Sequence, residues 1–356
     1  MMTRSDPEQQ LVAQGIFPWG SAELRTYERH LTRYFSREYG DLRHDDGVEC
    51  LLLNVGAGSP MSVKTDRLMK EHYDDALALF ESFLDHRYMA YTMALYGDDP
   101  VSIRESEISL EQAQENKFAL AAERIGLQGN ERILNIGCGF GPLETWLFER
   151  FSELNVVSVT PSKVQADYCR QCLADPDHVM PASRVNLVEK TLEQLAWQDV
   201  NSKPFDLIFA VGVFEHIADL MAAFRKIHAF LKPGGRCFLH LIVSRPVFPE
   251  YMNSDHTLIG RYFPGGRIWP YDLLAQAADG LELEGQWYIN GTNYWKTLDQ
   301  WHRRYWEHIS KLYPAVLDAA AVKYWNDYFV LCKAVLFGPM DGKIFGNGHY
   351  VFRRPR

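Results

Sequence analysis

Ile133-Leu134-Asn135-Ile136-Gly137-Cys138-Gly139-Phe140-Gly141 joins an apolar, strand-like run to the start of a helix through three glycines at alternate positions. Glycine has no Cβ to hold a ligand off the backbone and accepts φ values that other residues resist, so such a turn can wrap closely around a nucleotide-sized group. G-x-G-x-G alone does not say which nucleoside binds. A dinucleotide site calls for G-x-G-x-x-G or G-x-G-x-x-A, in which a third small residue lets the helix pack close beneath the pyrophosphate. Here the third glycine comes one residue early and Pro142 follows.

The downstream sequence narrows the choice. Asn155-Val156-Val157-Ser158-Val159-Thr160 ends in hydroxyl groups where a ribose diol would lie, and residues 206–211 read as a buried fourth strand running into Gly212-Val213-Phe214-Glu215-His216. Leu231-Lys232-Pro233-Gly234-Gly235 ends a helix with a tight turn into the apolar strand 237–243. Together these features resemble the S-adenosylmethionine-dependent methyltransferases of the Rossmann-like class. The implied fold is α/β: a class I methyltransferase with a mostly parallel seven-stranded sheet and helices on both faces, an N-terminal helical cap, and a lid inserted after strand five.

Composition sets the bounds. The chain has 356 residues, 47% of them hydrophobic, enough for a substantial core. No apolar run approaches the roughly 18 residues of a membrane span, and residues 1–10 lack the order of a signal peptide. Six cysteines in so long a chain, one in the glycine turn, do not form a disulfide framework, so a reducing cytoplasm is the expected setting. Cys169 and Cys172 form a C-x-x-C on a helical pattern with no second pair beside them, and no metal is expected, since a zinc site needs about four ligands. A net charge of −9 argues against a nucleic-acid partner, and Arg353, Arg354 and Arg356 read as a solvated tail. Tyrosine and tryptophan crowd residues 287–328, mostly as core, with a few available to line a pocket for a cation or an alkyl chain.

Residues 1–115 show helical spacing without strand-turn-helix units and read as the cap, with helices expected over 24–38 and 66–85; the apolar run 50–53 is expected in its core. Residues 116–356 form the methyltransferase domain, entered by an amphipathic helix at 111–125. Strands are expected at 132–136, 155–160, 184–188, 206–211 and 236–243. The lid covers about 244–300, its Pro- and Gly-rich part at 244–269. Beyond that part come a helix at 271–278, a strand at 283–290, helices at 296–313 and 319–336, and a strand at 349–352.

From about His72 onward the chain resembles the cyclopropane fatty acid synthase-like methyltransferases, which include mycolic acid cyclopropane synthases and coclaurine N-methyltransferase-like enzymes. His72-Tyr73-Asp74 matches the family's H-Y-D, Tyr91-Thr92-Met93 its Y-S-C, Val159-Thr160-Pro161-Ser162 with Gln165 its V-T-x-S-x-x-Q, Phe263-Pro264-Gly265-Gly266 its F-P-G-G, and Phe214-Glu215-His216 is the most specific match. The resemblance implies S-adenosyl-L-methionine as methyl donor, with Tyr91 and Thr92 at its carboxylate end and Gly137 and Gly139 approaching it through backbone. Thr160, Pro161 and Gln165 would contact ribose and adenine, Leu192 and Glu193 would flank the adenine, and Val211 would line the same site. Thr191-Leu192-Glu193 lacks the tryptophan of the family's G-W-E-Q-F, and Asn135 replaces an aspartate common at the end of the first strand.

A methyl transfer must place a nucleophile behind the sulfonium methyl and handle one proton, and positioning supplies much of the rate. A carboxylate at the end of the fourth strand can accept that proton or hold a cationic substrate, which singles out Glu215; the alternative for such a residue is a helix N-terminal acid held by the dipole. His216 reads as structural. His240, in an apolar strand, reads as a core histidine from spacing alone, whereas the resemblance brings His240 and Tyr294 to the same small site as Glu215. In cyclopropane synthases this group, with the main chain near Ile242, resembles a bicarbonate-binding base site, and the family's cysteine belongs to it. Met93 stands in that position here. The C-terminal segment is closer to the N-methyltransferase branch, while Gly212 matches the lipid enzymes.

The leading expectation is methyl transfer to a nitrogen or sulfur nucleophile of a small-molecule acceptor, an amine or thiol. The alternative is C-methylation or cyclopropanation of unsaturated acyl chains of phospholipids, which alone would call for bicarbonate, and a third is a noncatalytic S-adenosylmethionine sensor. Assembly into a homo-oligomer stays open.

Overall fold

The computed structural model describes residues 6–40 and 58–356. The apolar run 50–53 lies outside them. Strands β1 (Arg132–Ile136), β2 (Asn155–Thr160), β3 (Val185–Glu189), β4 (Phe205–Val211), β5 (Leu231–Ser244), β7 (Glu282–Ile289) and β8 (Phe345–Arg353) form one sheet in the order β3-β2-β1-β4-β5-β8-β7, and a two-residue strand, β6 (Trp269–Pro270), pairs with the end of β5. The pairs from β3 to β5 are parallel, and β8 runs antiparallel between β5 and β7. The central strands are apolar because helices cover both faces: Leu134, Ile136, Ile208 and Leu239 pack on one side, Ile133, Phe209 and Phe238 on the other. The sheet is therefore mostly parallel and seven-stranded, as expected, with one short strand added.

Strand order reverses between β1 and β4, and a crevice opens beyond their C-terminal ends at such a switch. The helix Leu110–Ile125 leads into β1; the Ser109 hydroxyl accepts from the Gln112 amide (3.1 Å) at its start, and Gly126, at φ +76°, ends it.

Several expectations fail locally. The segment expected as one helix at 66–85 breaks into Thr65–Leu68, a π-turn at Met69–Tyr73 and Leu77–Phe83. The two aspartates between them explain the break: Asp74 Oδ1 accepts from the Ser162 hydroxyl (2.7 Å) and Asp75 Oδ2 from the Trp325 indole (3.2 Å), contacts that a continuous helix would forgo. The helix expected at 271–278 is reduced to the turn Leu274–Ala277. The Lys232–Gly235 turn is a bulge within β5, where Leu231 and Arg236 pair with Phe205 and Leu207. The basic C-terminus is pinned rather than solvated, since Arg353 pairs with Glu282 and Glu284, and Arg354 donates to the carbonyls of His228 (3.0 Å) and Leu231 (2.6 Å).

The helical layer draws on both ends of the chain. Phe80 and Phe83 interlock with Trp301, Trp325 and Phe329, so the early helices and those after β7 share one aromatic core over the crevice. Phe83→Ala, at a fully buried position facing Tyr91 and Trp301, is expected to cost about 3–5 kcal/mol, read as a lower midpoint in urea unfolding. Val101→Ala, at an exposed position, should leave that midpoint in place.

Candidate active site

The glycine turn is built as its spacing requires. Gly137 has φ +72°, and a Cβ there would stand 2.3 Å from Val213 Cγ2; at Gly212, φ +71°, it would stand 2.7 Å from Thr92 Cγ2. Only glycine lets the β1 and β4 ends approach Thr92 and Val213 so closely. The amides of Gly137 and Cys138 both donate to the Val159 carbonyl (2.8 and 2.9 Å), so they are not offered to a ligand.

The crevice opens beside the glycine turn, at the ends of β1, β2 and β4. Tyr91, Thr92, Gly137, Gly139, Thr160, Pro161, Gln165, Leu192 and Val211 all line it. Glu193 does not: it is exposed, and its carbonyl accepts from Lys226. Leu192 turns its side chain inward, at 4% exposure, while Glu193 and Gln194, in the same turn, face solvent. Of the two hydroxyls expected at a ribose, Thr160 reaches the crevice and donates to Gln165 Oε1 (2.8 Å), while Ser158 donates to the buried Glu144 (2.5 Å). Asn135 donates to the same Glu144 oxygen (2.8 Å), and burial raises the Glu144 carboxyl above its ordinary range. An aspartate at 135 would set a second carboxylate against it.

Lys117 lines neither chamber but supports the crevice from behind Thr92, and no motif points to it. Its ammonium, 2% exposed, donates to the Thr92 hydroxyl (2.7 Å) and Gln114 Oε1 (2.5 Å), and burial lowers its pKa to about 7. A buried cation directly behind Thr92 favours an anionic group at that end of the crevice. The signal available was a lysine at an otherwise apolar position of an amphipathic helix.

A second chamber adjoins the first, and Tyr73, Tyr91, Thr92, Gly212 and His216 line both. Glu215, His240, Tyr294 and Met93 all line the second chamber. The Glu215 carbonyl accepts from the Arg267 amide (2.7 Å) and the Phe214 carbonyl from the Trp269 indole (3.1 Å), so the end of the lid fixes the loop after β4. Glu215 Oε1 accepts from the Ile242 amide (2.8 Å), Oε2 has no partner, and burial pushes the carboxyl up to about 7. Glu215 is thus a carboxylate inside the chamber rather than a helix-capping acid. His240, 1% exposed, lies 2.7 Å from His349 Nε2 and 3.1 Å from Asn347 Nδ2, and burial holds its imidazole neutral. Tyr294 stacks on Phe337 at 4.4 Å.

His72, Tyr73 and Asp74 bind the helical layer to the sheet. The Tyr91 hydroxyl lies 3.0 Å from His72 Nε2, the Tyr73 hydroxyl 2.8 Å from His216 Nε2, and Asp74 holds Ser162. His216 therefore orients the wall between the chambers. Phe263, from the F-P-G-G segment, packs on His72 at 4.2 Å and closes the outer side. Cys169 points to the Gly139 carbonyl (3.5 Å) and Cys172 into a small apolar cluster, and among the described residues no His, Cys, Asp and Glu side chains cluster as a metal site.

The model of the mycolic acid cyclopropane synthetase family matches residues 62–340. Cyclopropane-fatty-acyl-phospholipid synthase of Escherichia coli is 29% identical over 262 residues, which make up 72% of this chain and 62% of that protein, so the chain spans less than two thirds of that relative's length. (S)-Coclaurine N-methyltransferase of Papaver somniferum is 22% identical over 281 residues, 75% of each protein. A crystal structure of coclaurine N-methyltransferase bound to N-methylheliamine and SAH superposes over 97% of both chains with a TM-score of 0.77 at 18% identity, a likeness of fold. The family match takes in the glycine turn, both chambers' principal side chains and most of the chain: the protein belongs to the mycolic acid cyclopropane synthetase family of S-adenosylmethionine-dependent methyltransferases.

Proposed function

We propose that the protein transfers the methyl group of S-adenosylmethionine to the nitrogen of a small, largely apolar amine, with Glu215 as cation anchor and proton acceptor. The observation that carries this reading is the Glu215 carboxylate, with one oxygen unpartnered in a chamber whose wall includes the rings of Tyr294, Tyr328, Phe263 and Phe337 beside the polar His240 and Asn347. A desolvated carboxylate among aromatic faces favours an ammonium over a neutral ligand. The chamber's cation among the described residues, Arg267, turns its guanidinium to the Met252 carbonyl.

The donor supplies an electrophilic methyl on a sulfonium. Gly137, Thr160 and Gln165 would hold its nucleoside, and Thr92 with Lys117 behind it would meet its carboxylate. Tyr73, Tyr91, Thr92 and Gly212 border both chambers, so an acceptor nitrogen beside Glu215 would meet the donor methyl where the two chambers adjoin. Glu215 Oε2 takes the amine proton, and the Ile242 amide steadies the carboxylate while it does so. A thiol of similar size meets the same base. The same positions also serve the alternative, alkylation of an acyl-chain alkene, which His240 and Tyr294 beside Glu215 favour. Against it, the thioether of Met93 stands in the cysteine position, and the Ile242 amide, which the bicarbonate arrangement would use, is taken by Glu215 itself.

Two variants test this reading. Gly137→Ala, which combines a left-handed φ with a Cβ driven into Val213, should weaken S-adenosylmethionine binding by calorimetry at least about tenfold. Glu215→Gln should lower turnover about 10²–10⁴-fold with donor affinity unchanged. With an aromatic amine acceptor of pKa about 5, so that the acid limb belongs to the enzyme, wild-type kcat/KM should rise with pH and level off above about 7, and the Gln variant should lack that limb. The same substitution has a stability signature. Because the folded carboxyl titrates near 7 against 4.5 for the free group, folding loses stability as pH rises through that window and the loss persists above it. Glu215→Gln should therefore melt above the wild type at pH 8, and a lower melting point there would contradict the burial assigned to this carboxylate.

A further inference from the structure

A hydrogen-bonded line of side chains runs from the protein surface to the acceptor chamber, and its proton positions follow from its first member. The half-buried Arg124, on the helix before β1, lies over the Trp287 indole at 4.5 Å and donates to His349 Nδ1. Burial lowers the guanidinium only to about 10, so it stays charged at neutral pH. A guanidinium has donors and no acceptor, so His349 Nδ1 must carry a lone pair. Burial and the neighbouring cations keep both histidines neutral, which places the His349 proton on Nε2. That nitrogen is 2.7 Å from His240 Nδ1, the residue directly opposite across the β5–β8 ladder. His240 Nδ1 must then accept, and the His240 proton sits on Nε2.

His240 Nε2 lies 3.1 Å from Asn347 Nδ2, and two N–H groups cannot bond each other. Asn347 Oδ1 is buried and has no partner. Turning this amide over, an assignment that the hydrogen-bond network decides, sets Oδ1 on the His240 proton and moves the NH₂ group to the unpartnered position. In either arrangement the line ends in an N–H donor on a chamber wall that His240 and Asn347 share with Glu215.

We propose that Arg124 and His349 are positioning residues that lock His240 in its Nε2–H form, so that the acceptor chamber presents a fixed hydrogen-bond donor beside the Glu215 carboxylate. The assignment rests on the reading of Glu215 as the proton acceptor and deepens it. His240 is then a donor and not a second base. The acceptor this wall fits is an amine that carries a hydrogen-bond acceptor of its own, such as a hydroxyl, ether or carbonyl oxygen, near the nucleophilic nitrogen.

The test is the two-bond ¹⁵N–¹H spectrum of the histidine rings in the full-length protein, with resonances assigned through His240→Gln and His349→Gln. The expected result is the Nε2–H pattern for both rings in the wild type, a mixture of tautomers at His240 in Arg124→Gln, and the wild-type pattern restored in Arg124→Lys, which keeps a donating cation. Turnover of an amine acceptor should fall about tenfold in Arg124→Gln and recover in Arg124→Lys, with donor affinity within about twofold throughout. A wild-type His240 protonated on Nδ1, or an unchanged His240 pattern in a folded Arg124→Gln, overturns the proposal. The wild-type assignment decides even if that variant does not fold. If the tautomers are as expected and no amine is methylated, the positioning line stands and the amine reading fails.

Discussion

A carboxylate held by one backbone amide in an aromatic chamber is the constraint around which the rest of this molecule is arranged. Leaving Glu215 Oε2 without a partner in a low-dielectric wall is unfavourable, since burial disfavours the charged form and a buried polar group without a hydrogen bond costs free energy. The fold maintains it by fixing the Glu215 backbone from the lid side, through the Arg267 amide and the Trp269 indole, and its side chain from the sheet, through the Ile242 amide on β5. The strain is offset elsewhere, by the layered core of the sheet and the interlocked rings of the helical layer. Under the proposed role, this local cost is what catalytic sites generally carry.

The two chambers depend on one another through a thin shared wall. Gly212 lets the end of β4 approach Thr92, Tyr73 bonds to His216 and Tyr91 to His72, so the residues between donor and acceptor are held by the contacts that join the helical layer to the sheet. A change that loosens the helical layer at Phe83 or Trp301 would also move Tyr91, which packs on both.

The sheet and the donor crevice were legible in the sequence because each rests on a local rule. Parallel strands buried on both faces read as apolar runs, and the G-x-G-x-G turn follows from backbone geometry that no other residue satisfies. Glu215 could be chosen for its place at the end of the fourth strand. What could not be read was decided by contacts between distant residues. The break between residues 66 and 85 follows from Asp74 and Asp75 pairing with Ser162 and Trp325, about 90 and 250 positions away. Ser158 was read as a ribose contact, yet it serves Glu144, a pairing that also accounts for Asn135 in place of an aspartate. The motif places Glu193 at the adenine, but the turn at 192–194 leaves it exposed while Leu192 is buried. Lys117 and Arg124, on the helix before β1, carry no motif, and His349 and Asn347 matter because β8 inserts beside β5 and brings residues from the end of the chain to His240.

The central claim is that the acceptor is a nitrogen held by Glu215. The most direct test is mass spectrometry of products after the purified protein is incubated with methyl-labelled S-adenosylmethionine and a mixed panel of amines, thiols and unsaturated phospholipids. The account predicts label on the nitrogen of an apolar amine. Label appearing only as an added CH₂ on phospholipid acyl chains would contradict it and place Glu215, His240 and Tyr294 in service of an alkene.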